Sequence, residues 1–161
     1  MYQYSFANVD LILECDFAGN TNPSQFKVEG YATGENLITV ARRAPVATTT
    51  YGAYGDQIVN MQRIRAGDLT FTTLMNSREN QYLQDWTNFF QAQADADGGL
   101  ITPIQGKLVD NMGKDEALLT NGVILAMPAM SRGQTMNMVT WVLTFETVTM
   151  KRKIGGDLDQ L

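Results

Sequence analysis

Histidine is absent from all 161 residues, and cysteine occurs once, as Cys15. Without histidine there is no Ser-His or Cys-His nucleophile pair, no imidazole metal ligand, and none of the commonest general base. The sequence also lacks the G-x-x-x-x-G-K-[ST] and G-x-G-x-x-G phosphate loops and the D-x-D-x-D-G spacing of a calcium loop. Catalysis and resident cofactors or metals are therefore not expected. A single thiol excludes an intrachain disulfide and fits a reducing folding compartment. Its place in an apolar alternation marks Cys15 as a small buried hydrophobe.

Charge is also scarce. Charged residues make up 18% of the chain, with a net charge of -5 and a pI near 4.6. Such a chain repels phosphate, so sequence-specific binding to nucleic acid is not expected. No run approaches the roughly 20 consecutive apolar residues of a membrane span. The N-terminal MYQYSFANVD has neither the basic start nor the apolar stretch of a signal peptide.

What is present is a β-rich pattern broken by one helix. Between Asp68 and Met75, Leu69 and Phe71 alternate with Thr70 and Thr72, the period of a half-buried strand. Ser77 then offers a hydroxyl cap, with Glu79 near the positive start of a helix. Leu83, Trp86, Phe89 and Phe90 form an aromatic ridge along it, and Gln84, Asp85, Asn88 and Gln91 face away. Burial of each ridge side chain contributes roughly 1.5 to 3 kcal/mol, so the helix, at about 77–95, must lie on a large apolar surface.

The rest of the chain alternates. Val9, Leu11, Leu13, Cys15 and Phe17 share one parity, with the acidic Asp10, Glu14 and Asp16 on the other. Further strands are expected at 26–31, 37–43, 57–65, 100–109 and 116–127, the last buried in its latter half. The longest, 138–150, has Val139, Trp141, Leu143 and Phe145 on one side. Turn formers separate these runs, at 33–36, 97–99 and 110–114 among others. The expected fold is a single mainly β domain over 1–161, an antiparallel sandwich or barrel of about eight strands flanked by one helix. It carries a long loop at 44–56 and a C-terminal tail at 151–161.

That loop, APVATTTYGAYGD, holds no charge before Asp56 and is expected to be either mobile in the isolated subunit or ordered by a partner. Its candidate contact residues are Thr48, Thr49, Thr50, Tyr51 and Tyr54. The second candidate surface is the polar helix face of Gln84, Asp85, Asn88 and Gln91. The Arg42-Arg43 pair and the 151–153 basic cluster read as solvated charge or contacts to acidic neighbours, and the 10, 14, 16 carboxylates as an acidic surface. Nine methionines suit an adaptable core or subunit interfaces.

The order of several short segments adds an identification. SFANVDLIL, NLITVARRAP, the Gly55-Asp56 step, DLTFTTLMNSRENQYLQDW, the D-x-x-G turn at Asp110 to Gly113, GVILAMPAM, TWVLTFET and IGGD follow one another over nearly the whole chain. In this order they resemble the tail tube proteins of long-tailed, contractile-tailed bacteriophages. The most telling part is a T-x-T-L-x-x-S-x-x-N pattern occupied by Thr70, Thr72 (offset by one), Leu74, Ser77 and Asn80, followed by Leu83.

The resemblance implies a homo-oligomer of stacked, hexameric rings forming a hollow tube, with tail sheath, baseplate and tail terminator proteins as partners. It implies a virion protein made in the host bacterial cytoplasm, with DNA passing through an acidic lumen. Tubes of contractile bacteriocins and secretion-type injection systems are the nearest alternative. A monomeric β-sandwich ligand-binding module, its site lined by Trp86 or Trp141, is the alternative of a different class.

Overall fold

The structure is a computed structural model describing residues 5–17, 20–32, 34, 37–96, 101–111 and 115–152. The turns expected at 33–36, 97–99 and 110–114, and most of the tail expected at 151–161, lie outside those residues wholly or in part. The described elements are β1 (Val9–Glu14), β2 (Gln25–Lys27), β3 (Ile38–Arg42), β4 (Ala47–Tyr51), β5 (Gln57–Met61), β6 (Gly67–Leu74), α1 (Arg78–Asp95), β7 (Ile104–Asp110), β8 (Glu116–Ala126) and β9 (Met138–Lys151).

Seven strands form one antiparallel sheet in the order β2-β1-β7-β8-β9-β6-β3. The sheet curls towards closure. Past β2, the Val28 N–H donates to the Leu11 carbonyl of β1, while Gly30 accepts from the Leu74 N–H and Tyr31 bridges to Thr73 of β6. Residues 28–32 thus carry the chain from β1 across to β6, on the far side of the sheet order. Between the expected sandwich and barrel, the hydrogen bonds favour the barrel-like form.

The core fills the inside of the curl. Leu11 and Leu13 of β1, Leu69 and Phe71 of β6, Leu119 of β8, and Trp141, Leu143 and Phe145 of β9 are all buried, on the parity that the alternation gives. The helix lays Leu83, Trp86 and Phe90 against them. Phe26 tilts against Trp86 at 5.1 Å between ring centroids, and Phe17 stacks on Phe89 at 3.8 Å.

The helix start is held by a different residue from the one its sequence suggests. Ser77 occupies the cap position but makes no capping hydrogen bond, and its hydroxyl is buried without a partner. Asn80 does the anchoring. Its Nδ2 donates to the carbonyls of Leu74 (2.7 Å) and Met75 (3.0 Å), and its Oδ1 accepts from Thr73 Oγ1 (2.8 Å) and Trp141 Nε1 (2.9 Å). All four hydrogen-bonding positions of the amide are used, joining the end of β6, the first turn of α1 and the indole of β9. Beside it, buried Glu79 accepts from the Glu29 N–H at 3.1 Å. Gly30 makes that approach possible, since a Cβ there would lie 2.2 Å from Ser77 Cβ.

Strand β8 departs from expectation. Its buried residues, Ala117, Leu119 and Gly122, lie in its first part, and Leu125 and Ala126 are exposed. The reason is a bulge. Asn121 takes a left-handed conformation (φ 54°), and the pairing with β7 slips between Ile104 and Gly106. Leu119 and Gly122 therefore both face inward, as do their partners Val148 and Phe145. Gly122 is required because the Phe145 ring lies where its Cβ would be, within 2.4 Å.

Cys15 is buried at 1% exposure, and burial, with a smaller contribution from Asp16, pushes its thiol up to about 11. The folded protein is expected to resist alkylation by iodoacetamide at pH 8 and to react stoichiometrically once unfolded in urea; rapid native modification contradicts this placement.

The two polar residues at the helix start make opposite predictions. Asn80→Ala strands a buried indole N–H, a hydroxyl and two carbonyls, and is expected to lower stability by about 3 kcal/mol. Ser77→Ala removes a hydroxyl that bonds to nothing and should stay within about 0.5 kcal/mol of wild type. Urea denaturation midpoints decide between this ranking and a conventional serine cap, which reverses it.

Candidate assembly surfaces

The 44–56 segment is not the loop expected from its composition. Residues Ala47–Tyr51 form β4, which pairs antiparallel with β5 from Ala47↔Met61 to Tyr51↔Gln57. The tip closes through the Gly52 N–H to the Asp56 carbonyl (2.7 Å), with Gly55 at φ 86°, a conformation that glycine adopts without strain. Three consecutive threonines favour a strand over a coil, and the ladder satisfies their backbone groups.

The two strands form a sheet of their own, separate from the seven-stranded one. Thr48, Thr49, Thr50, Tyr51 and Tyr54 are all exposed, Tyr54 at 97%. So are Val46, Ile58, Val59, Met61 and Ile64. An isolated two-stranded hairpin is marginally stable, and the exposed apolar side chains gathered on it make it a candidate interaction site. The apolar residues of β5 were missed from sequence because 57–65 reads as an ordinary half-buried strand. A signal was there: Ile58 and Ile64 share their parity with Asn60 and Gln62, so neither face is consistently apolar.

The helix surface is less uniform. Gln84 Nε2 donates to Asn88 Oδ1 (3.2 Å) and reaches Met127 Sδ (3.7 Å). Asp85 turns the other way and accepts from Asn22 Nδ2 at 2.5 Å. Asn88 and Gln91 are exposed. The hairpin and helix surfaces are separate features and share no contact among the described ones.

Other candidates are absorbed by the fold. Arg42 donates to the Val148 carbonyl and Arg43 pairs with Asp68 at 2.9 Å. Asp10 is bound by Lys27 Nζ (2.8 Å) and Asn111 Nδ2 (2.8 Å), which hold its carboxyl below the usual range. Trp86 is fully enclosed, and the Trp141 indole donates to Asn80. Among the described residues no group of three His, Cys, Asp or Glu side chains is placed to hold a metal, and no helix is long and apolar enough to cross a membrane.

Residues 1–155 match the family described as bacteriophage PhiTE tail tube protein. The chain belongs to that tail tube family. No curated protein matches its sequence.

Solved structures share the fold at low identity. A chain of the sheath–tube complex of the extracellular contractile injection system PVC, in its extended state, is 9% identical with a TM-score of 0.57, over 94% of this chain and 93% of that one. A chain of the anti-feeding prophage tube-terminating cap is 9% identical with a TM-score of 0.56, at the same coverage. A chain of the six-fold symmetrised anti-feeding prophage baseplate is 10% identical with a TM-score of 0.57, over 94% and 98%. The tail tube family is one of structural proteins.

Because the hairpin lends nothing to the main core, deleting residues 48–53 is expected to leave the thermal midpoint within about 3 °C of wild type. Self-association should fall sharply in sedimentation velocity. A collapse of the midpoint, or unchanged association, contradicts a hairpin built for contacts outside its own chain.

Proposed function

We propose that this tail tube family member forms stacked hexameric rings, making the hollow tube through which phage DNA passes into the host. The observation that carries the reading is the β4–β5 hairpin, which hydrogen-bonds as its own sheet and whose apolar side chains are left exposed among the described residues. Contact with a neighbouring ring supplies that burial and offsets the ordering entropy of the hairpin. The edges of the main sheet, β2 and β3, supply unpaired backbone groups for lateral pairing between subunits, which removes exposed edges from the assembly.

The partners follow from the same reading. The rings stack as a homo-oligomer inside a tail sheath, between a baseplate and a tail terminator, and the protein resides in the virion after synthesis in the host cytoplasm. The polar helix face of Asn88 and Gln91, with Gln84, is the surface offered to a neighbouring subunit or sheath. A net charge of -5 disfavours adhesion of the DNA that traverses the tube. The PVC and anti-feeding prophage structures support a tube protein of an injection device by fold alone, whereas the sequence match is to a phage family.

Purified protein is expected to form rings or tubes about six-fold symmetric in end-on view, by negative-stain electron microscopy at concentrations of order 10 μM. A species that stays monomeric at every concentration, together with its absence from the tube of a particle that encodes it, overturns the proposal.

A further inference from the structure

A hairpin that seeks a neighbour needs a receiving surface, and the strand register locates one. The chain enters the hairpin from β3 and leaves it into β6, so the hairpin base lies at the Gly67 end of β6; there the Arg43 N–H donates to the Ala66 carbonyl. At the other end of β6, Leu74 pairs with Met138, and the Met75 N–H donates to the Asn137 carbonyl. The connection from β8 to β9, residues 127–137, therefore sits at the opposite end of β6 from the hairpin. Eight strand residues at about 3.3 Å each separate the two ends by roughly 25 Å.

This far end is a second apolar surface, uncovered among the described residues. Met127, Met130, Met136 and Met138 are exposed, Met130 at 86%. Of these, Met130 borders a cleft of about 250 Å³ that is also lined by Met75, Gln81, Gln84, Arg132 and Val139, among others. A dry cavity of about 150 Å³ admits a benzene ring, so this cleft has room for one aromatic side chain. Thioethers also favour aromatic contacts and adapt their shape to a partner.

Charge selects the occupant. Between Arg43 and Arg63 the hairpin has one charged residue, Asp56 at its tip, next to the almost fully exposed Tyr54. From Met127 to Met138 there is also one, Arg132. Arg132 Nη1 donates to the Ser131 carbonyl and lies 2.9 Å from Met75 Sδ, and neither Arg132 nor Asp56 forms an ion pair among the described residues. One surface is an exposed tyrosine beside a lone carboxylate. The other is a methionine-lined cleft beside a lone guanidinium.

Resting on the stacked-ring reading, we propose that the hairpin tip of one copy seats in the methionine-lined cleft of a copy in the adjacent ring, with Tyr54 in the cleft and Asp56 against Arg132. The contact joins two different surfaces at opposite ends of the domain, so each copy keeps one of each free and the stack extends without limit.

The test is a charge reversal and its repair. Asp56→Arg and Arg132→Asp each juxtapose like charges, and each is expected to reduce the pelletable tube fraction at least about tenfold. The double reversal restores the pair and should return tubes towards the wild-type level. Both sites are exposed, and circular dichroism confirms the fold of each variant. A second arm pairs Tyr54→Cys with Met130→Cys in one chain, with Cys15 buried and silent: oxidised tubes should run as a ladder of linked subunits on a non-reducing gel. If wild-type protein forms no rings or tubes, the stacked-ring reading itself falls. If wild type forms tubes but the single reversals do too, or the double reversal is no better than the singles, or no ladder forms, the docking proposal falls alone.

Discussion

Everything in this domain that faces inward depends on where the helix begins, and one side-chain amide fixes that point. Asn80 gives both its protons to the carbonyls that end β6 and takes two more from a threonine of β6 and an indole of β9. Because these groups are largely removed from water, the alternative to this arrangement is four unpaired polar groups rather than four hydrated ones. With the first turn held, the spacing of Leu83, Trp86 and Phe90 aims them at the sheet. Glu79 ties the same turn to the chain that closes the curl.

The curl sets its own demands. A sheet that bends round to meet its far side must change which residues it buries along a strand, and it does so at Asn121, where β8 and β9 switch parity together. The left-handed conformation suits asparagine, whose amide then bonds Gln105 and Glu146 on the flanking strands. Gly122 leaves room for Phe145 beneath it. These local departures from alternation are what let a long strand pair serve a closed core.

The same construction leaves two surfaces out. The hairpin keeps its apolar residues outside the core, and the methionine-rich 127–137 connection lies at the opposite end of β6 with its side chains exposed among the described residues. In a monomer both would be liabilities for aggregation. In the proposed stack of rings they are the two halves of one contact.

The sequence by itself determined the class of fold, the α-helix at 78–95 and its start within a residue, the burial of Cys15, and the inward parity of β1, β6 and most of β9. Periodicity legislates these because a side chain's direction along a regular element follows from its number in the chain. It also carried the family, through the order of short segments rather than any one of them. Only the tertiary structure decided that Asn80 and not Ser77 anchors the helix, since the partners that saturate the amide come from residues seven before it and 61 after it. The same holds for 47–51, a strand because β5 is there to pair with it, and for Ile58, Val59 and Met61, left exposed among the described residues. Propensity and spacing are local, whereas hydrogen-bond partners, bulges and the cover over an apolar face are settled by what the rest of the chain brings alongside.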